Sequence, residues 1–291
     1  MKRKAAYLTG IKVIIFVVTA ACLSEAQVRH EVDIPDIPGY ETLACDFHMH
    51  TVFSDGSVWP TVRVDEAWQE GLDAISITDH IEYQPHKDDV KTDHNRPFEL
   101  AKERAASLGI ILIRGTEITR SMPPGHLNAI FIDDADKLDQ ENFLDVVEEA
   151  NRQGGFVMWN HPGWTGQQKD GVSRWYDIHT TIYEKGWLHG IEVVNTREYY
   201  PRVHRWCLDK DLALIGNSDI HPPISFGYDF GAGEHRSMTL VFAKERSAEG
   251  IKEALFAGRS AAYCEKQLMG TPKLLTELFH ASVSISREPA H

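Results

Sequence analysis

Eight short apolar, β-branched runs punctuate this chain, at 43–48, 74–78, 110–114, 127–132, 156–159, 191–194, 212–215 and 238–242, and most lead into a histidine or a carboxylate. The runs lack the polar alternation of a half-exposed strand. They read as strands buried on both faces, the habit of a parallel sheet. Amphipathic stretches lie between them. Phe143, Leu144, Val146, Val147 and Ala150 share one helical face. The stretch 61–70 predicts a helix stopped by Gly71, and Ser247 caps a helix carrying Ile251 and Leu255. Such alternation gives a parallel sheet, open or closed. Reactive side chains at the ends of many strands favour closure, because a barrel gathers all its strand ends on one face. An open doubly wound sheet concentrates its site at one switch point. The segment Gly231-Ala-Gly233 lacks a third glycine and a preceding strand, so a dinucleotide site is not expected.

The polar residues at the run ends recur as short motifs: Asp46-Phe-His48-Met-His50-Thr51, Ser54-Asp55-Gly56, Thr78-Asp79-His80, Gly115-Thr-Glu117, Gly125-His126, Asn160-His161-Pro162 and Ser218-Asp219-Ile-His221. Neutral imidazole and carboxylate suit Zn, Mn and Fe ions. Any one of the 15 histidines is more ordinary as a surface or hydrogen-bonded residue, but the joint pattern is not. Residues two apart on a strand share a face, so His48 and His50 point into one space. Asp219 and His221 do the same if strand geometry persists that far. Asp46 has the parity of His48 but lies deeper, where it either orients an imidazole or serves as a buried capping carboxylate. Asp79 has the opposite parity and is expected behind the ligands. Glu117, with two oxygens, is the natural bridge between cations.

Together these motifs resemble the PHP (polymerase and histidinol phosphatase) superfamily of metal-dependent phosphoesterases, from about Cys45 to about Tyr263. The resemblance implies a distorted (β/α)7 barrel and a trinuclear cluster of divalent ions (Zn, Mn or Fe). It places His48, His50 and Asp219 on one ion, and His126 and His161 on a second shared with Glu117. Asp55, His80 and His221 then hold a third, with Glu117, Asp219 and His221 at the catalytic centre. The implied reaction is hydrolysis of a small phosphate mono- or diester by a hydroxide held between the ions. No Gly-x-Ser-x-Gly elbow supplies a serine nucleophile. Arg120 and Arg197 are candidate phosphate clamps, or else surface arginines. Two other readings keep the residues: a metal-dependent hydrolase of other esters or amides, and a metal-binding protein without catalysis.

The remaining histidines have no supporting pattern. His86 and His94 lie in a polar loop, 84–95, that could cover the site. His179, His189, His204, His235 and His280 read as surface or structural residues. Trp159 is expected in the core, and Trp164 could wall a substrate pocket.

Lys2, Arg3 and Lys4 precede an apolar run at 11–23, too short to span a bilayer, and the small residues that follow fit a signal peptide cut after Ala26. The rival reading lipidates Cys22, against Thr19 where a leucine-like residue is expected. The chain is thus expected outside the inner membrane, in the periplasm, without a membrane span. Net charge is −13, and loss of the leading cations makes it more acidic, so large nucleic acids are poor partners. Residues 27–42 read as a lead-in, 43–264 as the barrel domain, and 265–291 as an extension with a possible last strand at Val283 and Ile285. Cys45, Cys207 and Cys264 show no disulfide or metal spacing.

Overall fold

Each apolar run of the sequence is a strand in the computed structural model, which describes residues 28–91 and 93–284. The signal-peptide segment and Cys22 lie outside the described residues. In chain order the elements are β1 (Glu41–Asp46), α1 (Pro60–Gln69), β2 (Ala74–Ile77), α2 (Arg96–Leu108), β3 (Ile111–Ile118) and β4 (Leu127–Ile130). There follow α3 (Phe143–Arg152), β5 (Phe156–Trp159), α4 (Asp177–Glu184), β6 (Gly190–Asn195), β7 (Glu198–Tyr199), α5 (Pro201–Lys210) and β8 (Ala213–Asn217). The last are β9 (Met238–Ala243), α6 (Ala248–Phe256), β10 (Ser260–Cys264), β11 (Gln267–Met269) and α7 (Pro272–Ser282).

The strands form one mixed sheet ordered β11-β10-β9-β1-β2-β3-β4-β5-β6-β7, with β8 beside β6. Pairs β1–β2, β2–β3, β5–β6 and β6–β8 are parallel. Strand β4 is antiparallel to both β3 and β5, and β9 to both β1 and β10, which corrects the all-parallel expectation. Two physical reasons apply. Only the eight residues 119–126 join β3 to β4, too few for the crossover a parallel neighbour needs. Full burial on both faces also erases the pattern that would report strand direction. The sheet curls until the segments that follow β1 and β8 meet: Met49 bridges Ile220 in parallel, and the Asp219 amide donates to the His48 carbonyl. This is a mixed α/β fold consistent with a PHP or TIM-like barrel.

Cys45, Ala74, Ile113, Ile130, Met158, Ile215 and Val241, from seven strands, pack as one buried cluster. Toward one rim the same faces turn polar. Asn128, Asn160 and Asn217 each lie two residues from a member of that cluster and are fully buried. They form the layer on which the site rests. The helices cover the outside. Asn142 and Ser247 cap α3 and α6 by accepting from backbone amides, and α1 ends just before Gly71, whose φ is +83°. The extension departs from expectation. Residues up to Ser282 are helical because Leu274 and Leu278, one turn apart, bury against the barrel, an apolar repeat that outweighs the short alternation near Val283. Ile285 lies outside the described residues. No helix among the described residues is long and apolar enough to cross a membrane.

Candidate metal centre

Glu117, near the end of β3 and wholly buried, stands in the middle of the rim. Its Oε2 lies 3.3 Å from His48 Nε2, 3.3 Å from His50 Nε2 and 3.0 Å from His80 Nδ1. Its Oε1 lies 2.7 Å from His126 Nδ1 and 3.8 Å from His161 Nε2. Asp219 Oδ1 is 3.1 Å from His48 Nε2 and 3.0 Å from His50 Nε2. At the outer side Asp55 Oδ1 is 3.2 Å from His221 Nε2 and 3.5 Å from His80 Nε2. The His50 ring lies between those of His80 and His221, with centroids 4.4 and 4.1 Å away. Four donor groups can be drawn, each with ligand atoms within 4.8 Å of one another. They are His50, Asp55, His80 and His221; His48, His161 and Asp219; His48, His50 and Glu117; and His80, Glu117 and His126.

The electrostatics are those of a site short of positive charge. Burial opposes ionisation of Glu117, yet His80, His126 and His48 hold its carboxyl well below the ordinary range. Asp219 and Asp55 are likewise held down against burial by the imidazoles around them. Burial favours neutral imidazole, but the carboxylates outweigh it at His48, His161 and His221, and lift His80 to about 10. His50, buried between two other histidines, is pushed down to about 3. His126 Nδ1 is buried and close to Glu117, but its angle makes no hydrogen bond. Carboxylates sharing ring nitrogens at such spacing, with one nitrogen unpartnered, are the donor set a divalent cation takes.

The chain around these donors is tightly specified. Arg63, fully buried on α1, donates from Nε to the His50 carbonyl (2.9 Å) and from Nη2 to the carbonyls of Ile220 (3.1 Å) and His221 (2.7 Å). Asp79 accepts from the Thr51 amide (2.6 Å), the Thr51 hydroxyl and the Ser54 hydroxyl (2.7 Å), so it shapes the loop that carries Asp55. Gly56 is needed there, because a Cβ would sit 2.5 Å from the His50 carbonyl. His161 and Asp219 hold left-handed backbone, at φ 28° and 53°, where non-glycine residues are strained. Their amides are secured by Glu192 Oε2 and the His48 carbonyl.

No family model matches the chain. A solved structure from Bacteroides vulgatus, described as a two-domain protein containing a predicted PHP-like metal-dependent phosphoesterase, does match it. The identity is 56% over 91% of this chain and 77% of that one, with a TM-score of 0.89. The chain belongs to the PHP superfamily. A putative metal-dependent phosphoesterase from Bifidobacterium adolescentis shares the fold at 19% identity, covering 74% of this chain and 96% of its own, with a TM-score of 0.51. Among curated proteins, an uncharacterized protein of Methanocaldococcus jannaschii is 38% identical over 81 residues, which is 27% of this chain and 34% of that protein. The chain therefore spans about a third of the length of that relative.

In this PHP chain all nine residues expected from the sequence as ligands come together. Asp55, His80 and His221 group as expected, joined by His50, and His48 groups with Asp219 as expected, joined by His161. The strand ends at Asn217 and Asp219 takes a positive φ, so strand geometry does not extend to this pair, yet His221 Nδ1 still lies 3.8 Å from Asp219 Oδ1. Asp46 touches no imidazole. It accepts from the His48 and Ser218 amides, the Ser218 hydroxyl and buried Arg236, which also binds Glu70. Arg120 and Arg197, candidate phosphate clamps or surface arginines, are both paired within the protein. Arg120 is spent on Glu82 and the Gln140 carbonyl, and Arg197 on Glu234 and the Gly227 carbonyl. Neither lines the cavity over the site, nor do His86 and His94; Tyr83, just ahead of their loop, does. His179 and His189 are structural, accepting from the amides of Tyr176 and Val157. Trp159 is fully buried, and Trp164 lines the cavity. The three described cysteines are free and buried.

The largest omission of the sequence reading is Glu192. It is wholly buried in β6, accepts from His48 Nδ1 at 2.8 Å and from the His161 amide at 2.7 Å, and so orients two imidazole-bearing segments. A carboxylate inside the otherwise apolar run Ile191-Glu-Val-Val194 was the signal available for it.

Proposed function

We propose that this chain is a metal-dependent hydrolase of small phosphate mono- or diesters. Its sheet is read as a distorted (β/α)7 barrel spanning residues 43–264, exported to the periplasm after loss of residues 1–26. The observation that carries the reading is the convergence of nine imidazoles and carboxylates, with Glu117 shared between both sides, beneath an open cavity of about 410 Å³. Family membership supports the same reaction class. The donor set suits three divalent ions, with Zn, Mn and Fe the candidates. His48, His161 and Asp219 would hold one, His50, Asp55, His80 and His221 another, and Glu117 with His126 the third. When bound, such ions supply Lewis acidity and lower the pKa of a coordinated water toward neutrality.

The protein's part is arrangement. Glu117 and Asp219 present fixed negative charge at the floor, which is closed to solvent around His48 and His50. Glu192 fixes the His48 ring with its proton on Nδ1, leaving Nε2 as the free donor. His221, the more accessible histidine of its group, stands at the outer edge with Asp55, where a leaving group exits.

The test is a phosphatase and phosphodiesterase panel on the purified mature protein loaded with Mn, Zn or Fe, alongside metal analysis of the same sample. Turnover of some phosphate ester is expected. Bound metal without turnover on any member refutes the reading, and preference for neutral esters favours the alternative hydrolase. Fractionation with N-terminal sequencing checks export, the expected new terminus being Gln27.

A further inference from the structure

The walls of the cavity differ from its floor. Tyr83 and Trp164 both line it and are half-exposed, at 50% and 44%. Tyr83 meets His80 edge-on with centroids 5.8 Å apart, and Trp164 meets His161 at 5.2 Å and 67°. Trp164 also meets the His126 ring at 5.8 Å and 53°, and the exposure of both side chains shows aromatic surface still open to solvent. Trp164 is also positioned rather than loose. Its own turn folds beneath it, and a Cβ on Gly166 would fall 2.3 Å from the indole. Gln167 completes this wall; its Nε2 donates to the Arg120 carbonyl, leaving Oε1 buried without a partner. Among the described residues the lining includes no Lys or Arg, while Asp55, Glu117 and Asp219 are present.

We propose that Tyr83 and Trp164 form a recognition site for a flat, uncharged ring on the leaving group, so that the substrate class is a ring-bearing ester with a single phosphate. The proposal rests on the phosphoesterase reading. Beyond the ions, a second anion on the leaving group would meet a wall without Lys or Arg to receive it, whereas a ring face gains from stacking on the indole.

The experiment compares benzyl phosphate with isobutyl phosphate, both alkoxide-leaving esters that differ in the flat ring, on the Mn-loaded protein. It also measures binding of benzylphosphonate and isobutylphosphonate by calorimetry. The benzyl compounds should be favoured about tenfold in both kcat/KM and affinity. In Trp164→Ala that ratio should fall to about one. Gly166→Ala, which displaces the indole without removing it, should lower the ratio as well, and Tyr83→Ala should lower it partly. Turnover of both esters with equal preference, or a ratio unmoved in Trp164→Ala, overturns the ring site and leaves the hydrolase reading standing. Selective binding of benzylphosphonate without turnover of any ester upholds the ring site and refutes the hydrolase reading. Neither binding nor turnover refutes both.

Discussion

A glutamine in place of Glu192 would keep the shape of the side chain and reverse half of its hydrogen-bonding sense. The carboxylate receives four donors: His48 Nδ1 at 2.8 Å and Asn217 Nδ2 at 2.9 Å on Oε1, and the His161 amide at 2.7 Å and Asn195 Nδ2 at 2.9 Å on Oε2. One of those oxygens becomes an NH2 group. Facing Oε2's partners, it would oppose a backbone amide that cannot turn away. Facing Oε1's partners, it would oppose His48, which can move its proton to Nε2, and Asn217, whose flip would deprive the Phe47 amide of its acceptor. Either arrangement leaves a buried donor uncompensated, and the second also blocks the nitrogen that faces Glu117 and Asp219.

An uncompensated buried donor costs about 1–3 kcal/mol, so the metal-free variant should fold with that loss of stability. Loss of an orienting carboxylate behind a ligating histidine lowers metal affinity about 10- to 100-fold. Metal retained after dialysis against a graded competing chelator, measured beside a denaturant titration of the metal-free protein, reads both effects. If Glu192→Gln held its metals within a factor of about two of the parent, orientation of His48 by Glu192 would not matter and the tautomer argument would fail.

Glu117→Gln should lose metal stoichiometry and nearly all activity while remaining folded; a wild-type rate would remove Glu117 from the centre. Arg63→Lys should destabilise the fold by about 3–5 kcal/mol, since a buried guanidinium bonded to four carbonyls and Glu66 is replaced by a point charge, and urea unfolding measures it. His179 and His189 are held neutral by burial, at about 4 against an ordinary 6.5. The unfolded chain therefore binds more protons between those values. Their contribution to stability should be full above about 6.5 and fall as pH drops toward 4, by up to about 3 kcal/mol for His179, while the raised histidines of the rim act in the opposite sense. Thermal melts of metal-free protein and of His179→Gln across that range should therefore differ by an amount that shrinks toward pH 4, and a pH-independent difference would contradict the neutral assignment. His189→Ala should leave metal binding alone but cost about 1–3 kcal/mol of stability, because the Val157 amide loses its acceptor. Removing metal with a chelator should lower Tm in a concentration-dependent way.

Most of the fold was legible because the strands are buried on both faces and their apolar runs are unmistakable. Direction was not legible, since a fully buried strand looks alike whichever way it runs; β4 and β9 show the consequence. Connection length carried that information for β4, with eight residues between β3 and β4 excluding a helical crossover. The helix at residues 272–282 was hidden by reading Val283 and Ile285 as alternation when Leu274 and Leu278 already marked a helical stripe.

The site was legible to the extent that donor chemistry is written in residue type. His48 and His50 obey strand parity and arrive together. Asp219 and His221 reach the same rim without strand geometry, because the strand ends at Asn217, and a positive φ at an aspartate leaves no mark in the sequence. The supports behind the donors were hidden for a related reason. Arg63, Glu192 and Arg236 are charged residues far apart in sequence, and each looks like a surface residue until the barrel buries it. Burying a charge is costly unless it is fully bonded, and these three are bonded to the backbone or side chains of the donor segments. Of the three only Glu192 sits inside an apolar run, and there a charged residue is the mark to follow. It identifies where the fold has accepted a desolvation cost, and in this protein the beneficiaries of that cost are the imidazoles and carboxylates of the rim.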